Sequence, residues 1–459
     1  METNIIAIDL GTSRTRIVAA VTDDKRPYAL SIVHAETQTS QGIKRGAVYN
    51  KEDVLKVVRN LVTGAEKKFS SGAKRKASNA AAPAQRIVCV NVGGTCFQTS
   101  IINEKINIQG QNVSRRTLQY IENQAENNQT QFSLEESKVF RLVSLGYSID
   151  NEPLNNDVLG RSGNIFEAKF LCFKAKQKDL SLINSAFPAA PNKPSTYYTS
   201  TSAKAVVALS PSLKRDGVAL IDLGSGTTGV AVFYRDALRL EVEIPIGSAT
   251  ITSDIASALN IPFADAEALK CSLGIIDEAQ SHKEYAFDLG NGEQASFNGS
   301  FYNFVVKARL EEIAAYVASV LTDVRKAGNR DIKLVLTGGG SLLKNAESVF
   351  ADKVEAEVVA IPLPDLDIDP IEYAAAIGMA SLTARKQMEV VTDPVLPIAE
   401  PEPAEPQGPA EQEPETNPQP APPQNHPNNQ RGGSKIGDLF SRWGKKASSL
   451  FDDENNVKN

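Results

Sequence analysis

The residues with the clearest chemical potential lie in a segment that occurs twice in the chain. The first copy reads IIAIDLGTSRTRIVAAV from Ile5 to Val21, and the second reads VALIDLGSGTTGVAVF from Val218 to Phe233. Each copy has an apolar strand ending in an aspartate, a turn of Gly, Ser and Thr, and a second apolar strand. This pattern predicts a β-hairpin rather than a strand leading into a helix, and its repetition indicates two related halves.

The turns of both copies are suited to binding phosphate. Glycine allows a tight turn and a close approach to a ligand, and successive turn N–H groups form a concave donor cluster for phosphate oxygens. Hydroxyl side chains add donors and Arg14 adds a cation. The predicted binding residues are Gly11, Thr12, Ser13 and Arg14 in the first turn and Gly224, Gly226, Thr227 and Thr228 in the second.

Two aspartates stand where the first strand of each hairpin ends. Asp9 and Asp222 are placed to hold a hydrated Mg²⁺, which prefers carboxylate and water ligands. One Asp-Leu-Gly-Thr turn alone is an ordinary turn. Two such turns, one in each half, can clamp a polyphosphate from both sides.

A third glycine-rich segment can supply the opposite end of such a ligand site. Lys333 to Phe350 read KLVLTGGGSLLKNAESVF, which predicts a strand, a triple glycine and a helix. Gly338, Gly339 and Gly340 leave room for a flat base against the backbone. Taken by themselves, the three glycines are better explained by a crowded strand-to-helix turn.

The elements that position these motifs alternate between strands and helices up to about residue 391, which indicates an α/β fold. Apolar periodicity predicts a helix after Asn50 and another over 304–321. Strands are predicted at 86–91, 139–146 and 165–173. We expect helices to start at Ser114 and, from a capping box, at Ser133. The low-complexity stretch 70–84 predicts a surface loop.

Composition narrows the class of protein. The net charge of -6 gives no reason to expect nucleic acid as a partner. None of the four cysteines forms a CxxC pair and there are only three histidines, which argues against a zinc site and fits a reducing compartment. The N-terminus does not resemble a signal peptide, and no apolar run reaches the length of a transmembrane helix, so we expect any membrane contact to be peripheral.

The composition changes sharply near Val391. The stretch 391–433 holds 12 of the 24 prolines and seven acidic residues against one basic residue, Arg431. Such a segment buries too little apolar surface to offset its ordering entropy and is predicted to be a disordered linker. A flexible chain of this length has an r.m.s. span of roughly 35–40 Å.

The stretch 434–451, SKIGDLFSRWGKKASSLF, has the pattern of an amphipathic helix. At 100° per residue the apolar side chains share one arc; they are Ile436, Leu439, Phe440, Trp443, Ala447, Leu450 and Phe451. The charged arc carries Lys435, Asp438, Arg442, Lys445 and Lys446, a net charge of +3. This pattern predicts an interfacial helix on an anionic membrane. Docking on the body of the protein or on a partner is the alternative.

Together, 9–14, 222–228 and 338–340 resemble the two phosphate motifs and the adenosine motif of the actin, Hsp70 and sugar-kinase ATPases. Stretches 305–317 and 370–382 resemble their two connecting helices. Within that superfamily the chain is similar to the FtsA family of bacterial division proteins. The similarity rests on IPIGSATITSDIASALNIPFADAEALKCSLG at 244–274, on NDVLGRSGNIFEAK at 156–169, and on the linker with its terminal helix.

This resemblance implies a two-lobed actin-like body with ATP and Mg²⁺ in the cleft and Glu267 and Lys270 near the ribose and base. It implies self-association into actin-like polymers and binding of the C-terminal peptide of FtsZ by subdomain 2B. It also implies a peripheral protein at the division septum, on the cytoplasmic side of the inner membrane. There it tethers the FtsZ ring and recruits downstream division proteins.

The implied subdomains follow the order of the motifs. Subdomain 1A comprises 1–83, 166–215 and 371–390, and the inserted subdomain 1C comprises 84–165. Subdomain 2A comprises 216–247 and 320–370, and subdomain 2B comprises 248–319. The linker, 391–433, and the membrane-targeting helix, 434–451, follow.

Several residues depart from the family pattern. Ser200 and Thr201 stand where the family commonly has Glu-Pro, so no carboxylate is expected there to orient an attacking water. Gly229 replaces an aspartate and Ser248 replaces a glycine. We therefore expect tight binding and, at most, slow ATP hydrolysis, and we assign no catalytic residue.

The alternative functions are a PilM-like pilus-assembly protein, which would lack the linker and terminal helix, and an actin-fold metabolite kinase, which would need a catalytic carboxylate. An Hsp70-type chaperone is disfavoured because no substrate-binding domain follows residue 391.

Overall fold

A computed structural model describes residues 2–23, 26–76, 85–131, 136–154, 158–326, 331–361 and 366–391. The predicted linker beyond Val391 and the predicted terminal helix lie outside the described residues. Within the described ranges, no helix combines the length and the apolar character that crossing a membrane requires.

The described chain alternates strands and helices. The strands are β1 (Glu2–Leu10), β2 (Arg14–Asp23), β3 (Arg26–Thr39), β4 (Ile43–Lys44), β5 (Ala47–Val48), β6 (Gln85–Asn91), β7 (Phe97–Asn107), β8 (Ser137–Ile149), β9 (Glu152–Leu154), β10 (Ile165–Lys176), β11 (Thr196–Tyr198), β12 (Val218–Leu223), β13 (Thr228–Tyr234), β14 (Ala237–Ile244), β15 (Glu284–Asp288), β16 (Gln294–Asn298) and β17 (Lys333–Thr337). The α-helices are α1 (Lys51–Lys76), α2 (Arg115–Gln131), α3 (Gln177–Ser185), α4 (Ser200–Ala208), α5 (Pro211–Asp216), α6 (Ser248–Leu259), α7 (Phe263–Leu273), α8 (Glu278–Ser281), α9 (Gly299–Lys326), α10 (Ala346–Val354) and α11 (Ala374–Val391).

The two predicted hairpins form the centres of two sheets with the same plan. In the first sheet the strand order is β11-β6-β1-β2-β3, and in the second it is β14-β13-β12-β17. In both, the hairpin is antiparallel, a later strand joins its first strand in parallel, and a third antiparallel strand follows its second. The internal repeat of the sequence is therefore a repeat of sheet topology.

Helices cover both sheets and close their cores. The apolar face of α1, including Val58 and Leu61, is buried with β1 and β2 of the first sheet. The opposite face of that sheet packs on α4 and α11. The long helix α9 is buried with α6, α10 and the second sheet. Burial of these apolar side chains is the main force that holds each layer together.

A third sheet and one helix form a separate core. Its strand order is β7-β10-β8-β9, with α2 packed on it. It includes Phe166 and Phe170, which are fully buried. The hairpin of β15 and β16 joins no other sheet in the described chain and packs against the start of α9, where Phe297 is buried against Tyr302.

Most predicted elements are confirmed, including the α/β class. Asn50 begins α1, where its Oδ1 accepts a hydrogen bond from the Glu52 N–H (3.2 Å). Ser114 begins α2 in the same way, with its hydroxyl accepting from the Thr117 N–H (3.2 Å). Side-chain oxygens at these positions satisfy donors that the first helical turn leaves open.

Two local predictions, the helix starting at Ser133 and the loop over 70–84, are wrong for the part of each stretch that the structure describes. A helix beginning at Ser133 does not continue past Glu136, because Ser137–Ile149 form β8 and pair with β10. The β-branched and aromatic residues of that stretch, such as Val139, Phe140 and Val143, suit a sheet better than a helix. The loop predicted for 70–84 is helical up to Lys76, since Ala, Lys and Arg favour helix and no proline occurs before Pro83. Ser133 and 77–84 lie outside the described residues.

Candidate functional site

The turns of both hairpins line one cavity of about 530 Å³ between the first two sheets. The two turns come into close contact, because a Cβ added to Gly226 would lie only 2.4 Å from Thr12 Oγ1. Only a residue without a side chain permits this approach. Of the predicted site residues, the cavity is lined by Asp9, Gly11, Thr12, Ser13, Arg14, Asp222, Gly224, Gly226, Thr227, Glu267, Lys270, Gly338 and Gly339.

The first turn is held by short polar contacts. Ser40 donates a hydrogen bond to the carbonyl of Gly11 (2.6 Å), and the Gly46 N–H donates to Thr12 Oγ1 (2.9 Å). A Cβ at Gly11 would lie 2.6 Å from the carbonyl oxygen of Arg14, so the turn requires glycine there. Ser13 and Arg14 are exposed in the cavity, which leaves a hydroxyl and a guanidinium for a ligand.

The second turn packs against the start of α6. The Ser248 N–H donates to the carbonyl of Gly224 (2.8 Å), and a Cβ at Gly247 would lie 2.5 Å from the carbonyl oxygen of Ser225. Two predicted binding residues do not line the cavity. Thr228 is buried and its hydroxyl donates to the carbonyl of Ile246 (2.8 Å). Gly340 packs against Leu223, so glycine is needed there for the tight strand-to-helix turn, which was the alternative explanation offered by the sequence.

Glu267 and Lys270 lie on α7 and reach the same cavity. Lys270 Nζ donates to Glu267 Oε2 (2.7 Å), to Thr252 Oγ1 (2.9 Å) and to the carbonyl of Ser248 (3.3 Å). Burial acts to raise the pKa of Glu267, but hydrogen bonds from Lys270 and Thr252 outweigh it, and the pKa lies below its ordinary value. The pair is therefore an ionised carboxylate beside a buried ammonium group.

The two aspartates predicted to hold Mg²⁺ already face cations of the protein. Asp222 Oδ1 is 2.6 Å from Lys204 Nζ, and both side chains are nearly buried. Asp9 Oδ2 is 3.6 Å from Arg16 Nη1, and Asp9 Oδ1 accepts a hydrogen bond from Ser200 (3.1 Å). Mg²⁺ needs carboxylate and water oxygens in near-octahedral array. With an ammonium group against Asp222, the residues as arranged do not fit a metal ion between the two carboxylates.

Helix α4 and the end of β6 contribute residues that the sequence did not single out as binding residues. Asn91 accepts a hydrogen bond from the Leu10 N–H (2.6 Å) and donates to Ser200 (2.8 Å), which in turn donates to Asp9. Lys204 stands four residues after Ser200 and so lies on the same face of α4. With Ser200 placed beside the cleft, this four-residue spacing was the feature of the sequence that could have predicted Lys204 as a cleft residue.

A carboxyl group also lines the cavity from β14. Glu243 lies opposite Gly229 of β13, and burial, followed by the neighbouring Asp222, raises the pKa of Glu243 to about 8. A Cβ at Gly229 would lie 1.9 Å from Thr201 Oγ1, so an aspartate has no room there. The cleft thus has a carboxyl group that the sequence analysis missed, and this group is protonated at neutral pH.

Comparison with known proteins identifies relatives of this chain. A sequence model of the family described as "Cell division protein FtsA" matches residues 219–378. The chain is 25% identical over 398 residues to cell division protein FtsA of Pseudomonas aeruginosa, covering 84% of this chain and 90% of that protein. It is 24% identical over 386 residues to the Bacillus subtilis protein of the same name, covering 83% of each. These matches confirm the resemblance to FtsA.

A solved structure shares the fold. A chain of a PilM–PilN type IV pilus biogenesis complex aligns with a TM-score of 0.58 at 15% identity, covering 83% of this chain and 98% of that chain. At this identity the likeness shows the fold alone. Together with the FtsA matches it confirms the α/β, actin-like fold predicted from the sequence.

Proposed function

We propose that this chain is an ATP-binding, actin-like cell-division protein that tethers the FtsZ ring to the cytoplasmic membrane. One observation carries the nucleotide part: two glycine-bearing turns, one from each half of the chain, meet across a single cavity of about 530 Å³. Similarity to proteins named cell division protein FtsA carries the cellular part. The predicted subdomain division, 1A, 1C, 2A and 2B, is part of this proposal.

ATP would be held at its two ends by different groups. The N–H and hydroxyl donors of the two turns, with Arg14, suit the phosphates. Gly339 leaves open backbone for the base, because a Cβ there would have no atom within 4 Å, whereas Gly338 packs against Asp222 and Leu223. Leu342, which is 67% exposed beside these glycines, offers an apolar contact. Glu267 and Lys270 would face the ribose and base.

Binding can be tested by titrating the purified full chain with ATP in a calorimeter. Arg14→Gln removes a cation from the cavity and should weaken binding by about 10–100-fold, the value of a hydrogen bond to a charged group. Arg59→Gln, an equally exposed change on α1, is the matched control and should bind as the unmodified chain does. An unmodified chain that binds no ATP at millimolar concentration would overturn the proposal.

We expect ATP turnover to be slow. Ser200 offers a hydroxyl group rather than a carboxylate beside Asp9, and Thr201 is buried against Gly229. Glu243, which is protonated below about pH 8, cannot accept a proton from water at neutral pH. A hydrolysis rate of several per second from the purified chain would contradict this expectation.

Membrane attachment is assigned to 434–451, which lies outside the described residues, so its support is the sequence pattern. Phe440→Glu with Trp443→Glu places two charges on the apolar arc and should release the chain from anionic liposomes. Ser441→Glu with Ser449→Glu adds the same charge on the polar arc and should release it far less. Equal co-sedimentation of both double variants would defeat the assignment.

Partners and location follow from the FtsA similarity. We assign the C-terminal peptide of FtsZ to 248–319, and propose self-association into polymers and recruitment of downstream division proteins at the septum. Fluorescence imaging of the intact chain, and of a chain ending at Gly433, tests this. Mid-cell rings that disappear on truncation support the tether, whereas diffuse signal from both chains would favour the metabolite kinase.

A further inference from the structure

A second cavity, of about 780 Å³, lies on the other side of α4 from the nucleotide cleft. Ser200 and Lys204 of α4 line the cleft, whereas Ser202, Ala205 and Val206 line this cavity. The remaining walls come from β8, α5, α11 and the β13–β14 hairpin. We call it the basic cavity.

The basic cavity concentrates positive charge in a chain whose net charge is -6. Among the described residues that line it, one side chain, Asp236, is acidic and six are basic. The six are Arg141, Lys214, Arg215, Arg235, Arg239 and Arg385. A net charge of +5 within one concave surface creates a strong local potential for an anionic ligand.

Aromatic rings and a serine hydroxyl hold two of these cations in place. The Arg141 guanidinium lies 5.5 Å from the ring of Phe173 and 5.3 Å from that of Tyr198, and it donates to Ser202 (2.6 Å). Lys214 Nζ is 5.5 Å from the ring of Phe233. Cation–π contacts of this kind fix the position of a positive charge without neutralising it. The nearby Glu241 carboxyl offsets part of the Arg141 charge.

The cations also repel one another. Burial, and then the proximity of Arg385, lower the pKa of Lys214, while Asp236 acts in the opposite direction. Like charges that crowd one cavity are stabilised when a polyanion enters, since each cation then gains an opposite charge.

We propose that the basic cavity binds the acidic segment 393–415 of the same chain. That segment contains seven acidic residues and no basic residue; they are Asp393, Glu400, Glu402, Glu405, Glu411, Glu413 and Glu415. The described chain ends at Val391, six residues after Arg385 of the cavity wall. Six helical residues span about 9 Å, so the acidic segment begins close to the site.

The short covalent connection makes the acidic segment bind the basic cavity more tightly than a free anion of equal charge would. A binding segment tethered by a few residues has an effective concentration in the millimolar range. Proline-rich chain extends by about 3 Å per residue. The residues between Val391 and Glu400 are therefore long enough to return over the roughly 9 Å of helix that separates Val391 from Arg385. The proposal does not depend on nucleotide binding.

Zero-length carbodiimide cross-linking of the full chain, read by mass spectrometry, tests the proposal. The reagent joins a carboxylate to a lysine amine in contact with it, and Lys214 is the lysine of the cavity wall. At low salt, Lys214 should cross-link to 400–415 at least about fivefold more than the exposed Lys56 and Lys326 do, and 0.5 M salt should remove most of that excess by screening.

Two variants complete the test. Arg235→Gln with Arg385→Gln keeps Lys214 but should lower its cross-link to the segment several-fold, while the matched Arg59→Gln with Arg116→Gln should not change it. Changing the six glutamates of 400–415 to Gln alters no described residue and leaves only Asp393, so it should abolish the cross-links to 400–415. A mixture of ¹⁴N and ¹⁵N chains separates links within one chain from links between copies. No excess at Lys214, or an excess only between copies, would overturn the proposal.

Discussion

Lys204 allows a direct test of whether a protein cation, rather than Mg²⁺, neutralises Asp222 in this cleft. Its ammonium group lies 2.6 Å from Asp222 Oδ1, with 13% of the lysine side chain and 8% of the aspartate side chain exposed. A cation at this place neutralises a carboxylate that would otherwise hold a metal ion. We therefore predict that ATP binding by this chain depends only weakly on Mg²⁺.

The size of the effect follows from the charge that this contact neutralises. Without Lys204 the Asp222 carboxylate would repel the phosphates, and two like charges about 6–10 Å apart at an effective dielectric constant of about 20 repel by about 1.7–2.8 kcal/mol, which corresponds to about 20–100-fold in affinity. Lys204→Met should therefore weaken ATP binding by about that factor when EDTA removes Mg²⁺. Addition of Mg²⁺ should then restore most of the loss, because Asp222 no longer has a protein cation and can take the metal through water.

Calorimetric titrations with ATP in Mg²⁺ and in EDTA measure both quantities. The unmodified chain should lose less than about tenfold in affinity in EDTA, and Lys204→Arg, which keeps the charge, should behave the same way. Lys56→Met, at an exposed position on α1, is the control for loss of a lysine. Two results together would refute the reasoning: an unmodified chain whose ATP affinity falls more than about 100-fold in EDTA, and a Lys204→Met variant whose ATP affinity equals that of the unmodified chain under both conditions.

Three further predictions concern stability. Because the folded state holds the Glu243 proton up to about pH 8 and the unfolded state releases it near its ordinary value, the free energy of unfolding should fall by up to about 4 kcal/mol as pH rises from 5 to 8. Urea titrations should show that Glu243→Gln flattens this slope; an unchanged slope would mean that Glu243 is ionised in the fold. A Cβ at Gly378 would lie 1.9 Å from the carbonyl oxygen of Ala203, so Gly378→Ala should cost about 1–3 kcal/mol, whereas Gly146→Ala, with open space around it, should cost almost nothing. Equal midpoints for the two alanine variants would contradict the packing of α11 on α4. Lys270→Met removes the donor from Ser248, Thr252 and Glu267, so thermal denaturation without nucleotide should show a loss of about 1–3 kcal/mol; an unchanged melting temperature would show that the buried ammonium group is not stabilising.

The sequence predicted the site where backbone geometry alone dictates it. Glycine at 11 and 224 is required by the turns themselves, so the repeated pattern was sufficient to find them, whereas glycine at 226 is required by contact with Thr12 of the other turn. The sequence also predicted the hairpins, because two short, continuous apolar runs joined by a Gly/Ser/Thr turn are typical of paired strands that are buried on both faces. Thr228 and Gly340 were assigned by proximity to those motifs, but their neighbours in the fold, Ile246 and Leu223, turn them away from the cavity.

What the sequence by itself determined is local: two duplicated turns, the glycines that they need, and the α/β alternation around them. Only the tertiary structure decided which charges meet. Lys204 reaches Asp222 from a separate helix, Glu243 reaches the same cleft from a third strand, and Arg141 and Arg385 join one basic cavity from distant parts of the chain. The physical reason is that turn geometry depends on neighbouring residues, whereas the state of a charge depends on burial and on partners that only the folded chain brings within a few ångströms.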